Sequence, residues 1–408
     1  MPSFLIAKIK EAPLLLLATS LVLTIIGIVT IGSVSRNQAL AFTSTSFFRQ
    51  LIWVLPALVL FFVSFSVSKK NIYKFTPYVY IFIILLLFVP YFGKPVAGTY
   101  RWISFGSLHL QPSEYAKFII VLVLARYLSK SNAHLEKIRI VVMPIILTVI
   151  PTMIVLRQPD LGSAIIMTSP VIVMMFWAGV RPYHLFLILA PFLSVLTAFH
   201  SISFWVWAII LLIILYISRP TLMKGVIIYF ANIFLGLLSP TIWNMLKPYQ
   251  QRRFIAVLDP SLDPLGAGYQ IIQSQTAIGS GGFFGKGWGQ GTQTQLKYLP
   301  VQETDFIVSV IGEEFGFITI FIILILFGWM ILRMLKLAHE TDNRFSGLVI
   351  IGIAVLFLTH VFVNIAMAAG MIPVKGLPLP FLSYGGSFLI SCFMMVGLVM
   401  NLSINYSE

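Results

Sequence analysis

Apolar runs about as long as a bilayer is thick recur from one end of this chain to the other, and they limit the fold more than any other feature. A hydrocarbon core about 30 Å thick takes about 20 helical residues to cross. The runs span residues 14–31, 47–67, 75–92, 115–128, 138–156, 164–178, 185–198, 204–217, 226–243, 306–332, 347–369 and 379–402. They predict an all-α polytopic integral membrane protein with about a dozen spans, several of them short. Composition agrees: hydrophobic residues make up 59% of the 408 and charged residues 10%, against roughly 25% charged in a soluble domain.

Lys8 and Lys10 precede the first run as they would in a secretory signal, yet no small-residue cleavage site stands near Ser33 or Ser35. Further spans follow at once, so the first helix is expected to be retained. The single cysteine, Cys392, lies in an apolar run and is read as packing; it excludes an intramolecular disulfide and a Cys-rich metal site. The net charge of +14 does not imply nucleic-acid binding, because the positive-inside rule accounts for much of it. With the N-terminus inside, the inner connections carry Lys8, Lys10, Lys69, Lys70, Lys74, Lys130, Lys137, Arg139, Arg181, Arg219, Lys224, Arg333, Lys336 and Arg344. An even number of spans then returns the C-terminus to the cytoplasmic side and leaves residues 244–304 outside.

The whole chain, 1–408, reads as one membrane domain without a soluble unit. Two connections stand out, 93–117 and the long outer loop 243–305. A structureless loop of that length is more often functional than idle, and 269–278 is a candidate amphipathic helix within it. GSGGFFGKGWGQG follows, without the Lys-Ser or Lys-Thr of a Walker loop. Its glycines permit positive φ, and either an anion-holding nest of N–H groups or a flexible turn would suit the pattern.

Polar groups inside a membrane are costly and mark function by default. The chain has 13 acidic residues, yet Glu303, Asp305, Glu313 and Glu314 all fall in LKYLPVQETDFIVSVIGEEFG, 296–316. Asp305 is the sharpest candidate, since it closes the loop and opens the apolar run FIVSVI. Low dielectric raises a carboxylate's pKa and a helix N-terminus lowers it, so its pKa stays open, and a helix cap is the alternative to chemistry. Glu313 and Glu314 are expected to support the helix or a polar cavity beneath the site, and Glu303 to be solvated.

Glu114 and Lys117, at i and i+3, can neutralise each other on one helical face; they either fix packing or offer Lys117 to a phosphate. Arg101 and Trp102 just before them suit a sugar phosphate, or a belt anchor at the interface. Asp160 in RQPDLGSA is a helix N-cap or a site residue, and Arg49 an interface anchor or a third outer cation. The six histidines show no ligand spacing, so no metal site of protein ligands is expected. No G-x-S-x-G is present to suggest a serine hydrolase.

Residues 258–316, LDPSLDPLGAGYQIIQSQTAIGSGGFFGKGWGQGTQTQLKYLPVQETDFIVSVIGEEFG, closely resemble the long loop and following helix of the shape, elongation, division and sporulation (SEDS) family. RWISFGSLHLQPSEYAK, RQPDLGSAIIM and NIAMAAGMIPVKGLPLPFLSYGGSFLI match the same family in the expected order. YQQRR and DPLGAGY look more like its elongation branch, RodA, while MAAGMIPVKG resembles the division branch, FtsW. The resemblance implies a peptidoglycan glycosyltransferase that polymerises lipid II at the outer face of the bacterial cytoplasmic membrane, working with a class B penicillin-binding protein. It also implies that Asp305 is catalytic, that Trp102 is required, and that Glu114 and Lys117 form an intramembrane acid and base pair.

Two departures from the family pattern stand out. The usual plan has ten spans, but this chain has room for three helices where one is expected, so 183–220 reads as an inserted hairpin and the total as twelve. Glu303 stands where many relatives carry His. In the expected reaction Asp305 takes the proton from the acceptor's 4-hydroxyl, while Arg101, Lys117 and Arg49 offset the charge of the departing diphosphate. A loosely held divalent cation such as Mg2+ is the one cofactor considered, and Asp305 could instead hold it. The competing readings are a lipid II flippase and an ion-coupled transporter, the latter predicting an internal repeat that the chain does not display.

Overall fold

The computed structural model describes residues 8, 11–36, 42–95, 98–105, 108–130, 138–246, 248–264, 266 and 268–404; Lys10 and Lys137, expected among the inner cations, lie outside them. The chain forms, in order, α1 (Leu14–Ser35), α2 (Ser46–Ser66), α3 (Lys69–Phe88), a hairpin of β1 (Ile103–Phe105) and β2 (Leu108–Leu110), α4 (Pro112–Lys130), α5 (Ile138–Arg157), α6 (Leu161–Trp177), α7 (Pro182–Thr197), α8 (Ser201–Ser218) and α9 (Leu222–Leu237). There follow α10 (Ser239–Met245), α11 (Pro248–Leu258), α12 (Tyr269–Gly281), α13 (Thr292–Gln295), α14 (Ile307–Glu340), α15 (Arg344–Ala368) and α16 (Gly386–Ser403). Among the described residues, seven helices are long and apolar enough to cross a membrane, or eight with the bent pair α9 and α10 taken as one span. Most of α5, and all of α6 and α7, form shorter apolar helices.

Three expected runs differ from the observed helices, each for a local reason. The run from 226 to 243 bends by 41° between α9 and α10, where Pro240 opens a second helix. The run from 379 becomes helical only at Gly386, since Pro378 and Pro380 cannot donate within a helix interior. The run from 306 continues to Glu340, but Gly316 interrupts it with φ 82°, a conformation that costs glycine little.

Hydrocarbon outside removes the usual reason to bury leucine, so small and polar side chains face inward. In α1, Ser20, Thr24 and Thr30 are buried and donate to the Leu16, Ser20 and Ile26 carbonyls one turn back, while Leu14, Leu15 and Ile25 face out. The centre is built of α15, packed on α4, α6 and α14, and α16, packed along α2. Helices α7 to α9 form a satellite with a small core of Ala190, Trp207, Leu211 and Leu215. Within it the Trp207 indole N–H donates to Ser194 Oγ at 2.8 Å, and the Ser194 hydroxyl to Asn232 Oδ1 at 3.1 Å.

The long loop 243–305 is largely ordered as α11 to α13. The expected amphipathic helix extends through Gly281 as α12, with Ile271, Ser274 and Ala277 buried. The Ser274 hydroxyl donates to the Ala368 carbonyl at 2.6 Å and lies 2.7 Å from Ser309 Oγ, joining α12 to α14 and α15. At Gly281 a β-carbon would collide with the Gly312 carbonyl and the Glu313 backbone. Gly281→Ala is therefore expected to cost roughly 1–3 kcal/mol, read as a lower unfolding temperature and faster proteolysis between 244 and 304.

Candidate active site

Asp305 closes a run of turns over residues 300–306 ahead of α14. Its N–H donates to the Val301 carbonyl at 3.1 Å. Its own carbonyl accepts from the Asn364 side-chain amide at 2.9 Å, and the same amide donates to the Leu377 carbonyl at 2.7 Å. One polar side chain of α15 thus ties the catalytic candidate to the irregular segment 376–385. That segment is sewn to the turn again: the Ser383 hydroxyl donates to the Thr304 carbonyl at 2.5 Å, and the Tyr384 N–H to the Glu303 carbonyl at 2.8 Å. Arg49 of α2 hydrogen-bonds the Tyr384 side chain, so it stands one residue contact away from the turn.

Arg101 approaches from the other side. Its Nε donates to the Gln158 carbonyl at 3.3 Å and its Nη2 to the Pro159 carbonyl, while Nη1 lies 3.9 Å from Asp160 Oδ1. Asp160 is also the N-cap of α6, accepting from the Ser163 N–H at 3.1 Å, and it takes the Gln111 amide at 3.0 Å. Asp160 therefore caps α6 and stands beside the arginine with the same carboxylate. Burial pushes the Asp305 carboxyl up from 3.8 to about 6, against the lowering effect of the Thr304 hydroxyl bond and the Arg101 charge. A carboxyl in that range is poised to exchange a proton near neutral pH.

Glu114 and Lys117 form a closed pair. The ammonium lies 2.8 Å from both carboxylate oxygens and 3.3 Å from His360 Nε2, and only 1% of Lys117 is exposed. His360 Nδ1 sits 3.2 Å from the Pro378 carbonyl, which can only accept, so Nδ1 carries the proton and Nε2 offers its lone pair to Lys117. In this arrangement the Lys117 ammonium is engaged by Glu114 and His360. Trp102 precedes the β-hairpin with its ring 6.3 Å from that of His109, edge to face.

Glu313 and Glu314 hold the loop. The fully buried Glu313 accepts from Lys286 Nζ at 2.9 Å, the Thr292 hydroxyl at 3.1 Å, the Gln293 and Thr294 N–H groups at 2.9 Å, and the Thr294 hydroxyl at 2.7 Å. The glycine-rich stretch thus does cradle an anion, and the anion is the chain's own. Glu314 accepts from the Ser33 hydroxyl at 2.6 Å and from Gln295 at 3.1 Å, joining the loop to α1. No group of three or more His, Cys, Asp or Glu side chains that could hold a metal occurs among the described residues.

A family model described as "Cell cycle protein", covering FtsW, RodA and SpoVE, matches residues 13–207 and 200–408. The chain belongs to this family. Peptidoglycan glycosyltransferase MrdB of Escherichia coli K12 is 35% identical over 87% of this chain and 84% of its own length. An FtsW from Trichlorobacter lovleyi is 34% identical, with 97% of this chain and 94% of that protein covered. A solved structure described as the structural coordination of polymerization and crosslinking by a peptidoglycan synthase complex contains a chain similar to this one. It matches at TM-score 0.72 and 28% identity, covering 96% of this chain and 97% of that one. The family's helical membrane architecture is therefore this chain's fold.

Sequence reasoning singled out Asp305, Arg101 and Asp160, which the fold brings together, but passed over Asn364, Ser383 and His360. Asn364 and His360 interrupt the apolar run 347–369, so the rule that costs polar groups in a membrane would have flagged them. Because Glu313 is the common acceptor of the loop, Glu313→Ala should destabilise the protein by roughly 3–5 kcal/mol. Thermal unfolding and protease access to residues 282–296 would register it, whereas Glu303→Ala should leave both near their original values.

Proposed function

We propose that this chain is a peptidoglycan glycosyltransferase that polymerises lipid II at the outer face of the bacterial cytoplasmic membrane, in the elongation role. The observation that carries this reading is Asp305, a carboxylate with a pKa near 6 set in the outer turn within reach of the Arg101 charge. Family membership and relatives named for this activity support it. The elongation role rests on YQQRR and DPLGAGY, since identities of 35% and 34% to MrdB and an FtsW do not choose between branches.

Lipid II carries its sugar through an α-linked diphosphate, and the new linkage is β, so one inverting displacement suffices. The acceptor's 4-hydroxyl oxygen attacks the anomeric carbon while Asp305 takes the hydroxyl proton. The bond from that carbon to the diphosphate oxygen breaks, and undecaprenyl diphosphate leaves with the electron pair. Arg101, fixed by two carbonyls and Asp160, and Arg49, fixed by Tyr384, offset the developing charge. Trp102 offers a face to a sugar ring. Lys117 and Glu114 hold α4 against α15 behind the site through His360. Were a divalent ion such as Mg2+ bound, Asp305 would be the residue to hold it instead of acting as base, and the ion would supply charge to offset the leaving diphosphate.

The membrane arrangement belongs to the same reading. Twelve crossings place both termini on the cytoplasmic side and the loop 244–304 outside. Residues 183–220 are an insertion in the ten-span plan, a view supported by the separate small core of α7 to α9. A class B penicillin-binding protein is the proposed partner, supported by the similarity to a chain of a peptidoglycan synthase complex.

Purified protein in detergent, given labelled lipid II without a vesicle gradient, should make glycan, which a flippase alone would not. Asp305→Asn should lower that synthesis by roughly a hundredfold or more. Near-normal synthesis by the folded variant would sink the base assignment. A buried carboxyl with a raised pKa costs stability above that pKa, so the variant should unfold at the same or a higher temperature. As the base acts ionised, the wild-type rate should climb with pH and reach half its plateau near pH 6. Arg101→Gln removes a charge that lowers this pKa, and should move the acid limb to higher pH.

A further inference from the structure

The helix dipole favours acids in a first turn and cations in a last one, and two helices of this chain depart from that rule at the same place. α3 opens with Lys69 and Lys70 behind the Ser68 cap, and α15 with Arg344 behind the Asn343 cap; neither has an acid in its first turn. Between these ends lies a cavity of about 560 Å³, whose lining includes Lys69, Lys70, Arg344, Tyr73, Ser129 and Asn343. That volume is ordinary for a ligand pocket, which measures about 300–1,000 Å³. No Asp or Glu is among the described residues that line it, and Asp342 lines a separate cavity of about 340 Å³ that shares Arg344.

The aromatic wall of the cavity brings two more cations. The Arg126 guanidinium stands 4.6 Å from the centre of the Tyr73 ring and the Lys130 ammonium 5.9 Å from it, while Phe345 meets the same ring edge to face at 5.1 Å. Arg126 is fixed by the Tyr73 and Lys74 carbonyls, the latter at 3.0 Å, and Arg344 by the Ala178 carbonyl at 2.7 Å. Lys69 holds the end of α16 through the Leu402 and Ile404 carbonyls. Lys70, which is exposed, and the further N–H groups of Arg344 are therefore the donors best placed for an anion. The positive-inside rule spreads cations over connections; it does not gather them on one concavity at two helix N-termini, which is an anion-binding arrangement.

The pattern beyond the pocket says what kind of anion. Lys70, Lys74, Tyr78, Phe82 and Leu85 follow one face of α3 at helical spacing, and all are exposed. This face is charged at the pocket and apolar along the rest of the helix. A free phosphate or a nucleotide would use the cations alone, whereas a lipid uses the cations and the apolar strip together. We propose that this pocket binds the phosphodiester headgroup of an acidic membrane phospholipid, whose acyl chains lie along Tyr78, Phe82 and Leu85. The site is separate from the candidate active site. α4 ends here at Lys130, and its other end, next to the Gln111 that holds Asp160, is about 28 Å away by helix rise. The proposal does not depend on the reaction assigned to Asp305.

Full-length protein in detergent is titrated with phosphatidylglycerol, phosphatidylcholine or inorganic phosphate, and the bound molecules are counted by native mass spectrometry. Phosphatidylglycerol is expected to fill a site that phosphatidylcholine does not. Lys70→Gln combined with Arg344→Gln should weaken that binding by roughly thirtyfold, the effect of two cations beside an anionic headgroup. Arg219→Gln combined with Lys224→Gln removes the same charge between α8 and α9 and should leave it unchanged. Equal weakening by the two pairs would mean diffuse surface charge and overturns the site. Inorganic phosphate bound as tightly as phosphatidylglycerol would mark a free-phosphate site and overturns the lipid assignment. Phosphatidylglycerol with a photoreactive group beside its headgroup tests the wild-type protein directly, whatever the variants do to folding. Label is expected in 68–78, 126–130 and 343–346, and label confined to other segments overturns the proposal.

Discussion

Glu313 is the point on which the long loop depends. A carboxylate enclosed among apolar helices is stable only if its oxygens are filled with donors, and the loop brings them as two hydroxyls, two backbone N–H groups and Lys286. The bonding is mutual, because the short helix α13 is too brief to satisfy its own first N–H groups. With α13 fixed, Gln302 donates to the Thr294 carbonyl at 3.2 Å, and the turn that ends in Asp305 starts from a set position. The kink at Gly316 completes the arrangement: the Phe317 N–H donates to the Gly282 carbonyl and the Lys286 N–H to the Glu313 carbonyl, both at 2.9 Å.

Two constellations of charge sit in this apolar body and behave in opposite ways. Glu114, Lys117 and His360 satisfy one another and are closed. Arg101, Asp160 and Asp305 are not balanced in that sense: the arginine is held by carbonyls and by the cap of α6, and Asp305 feels its charge without a short ion pair. A closed pair suits packing, since its charges are already spent on each other. In the proposed reaction, an arginine pinned from behind and facing a carboxyl of raised pKa would keep field in reserve for the charge that develops.

Much of this was legible in the sequence. The length of the apolar runs pointed to a helical membrane protein, and the scarcity of carboxylates drew attention to 296–316. Asp305 stood out because it lies where a polar loop meets an apolar run. Less could be read where the chain's local chemistry is ambiguous. Pro240 ends one helix and opens another, Pro378 and Pro380 unwind a run that looks like helix by hydropathy alone, and the glycine-rich stretch is equally suited to a nest and to a loose turn. Asp160 reads both as a cap and as a site residue, and in the fold it caps α6 while standing 3.9 Å from Arg101.

The sequence by itself determined the class of fold, the extent of the long loop and where the scarce carboxylates fall, because hydrocarbon imposes simple rules on length and polarity that hold along the chain. Only the tertiary structure decided which charges meet. Glu313 lies 27 positions from Lys286, and Asn364 lies 59 from Asp305, so no local pattern relates them. Whether a buried carboxylate is a support or a base depends on how many donors reach it, and those donors arrive from helices whose packing no single run encodes.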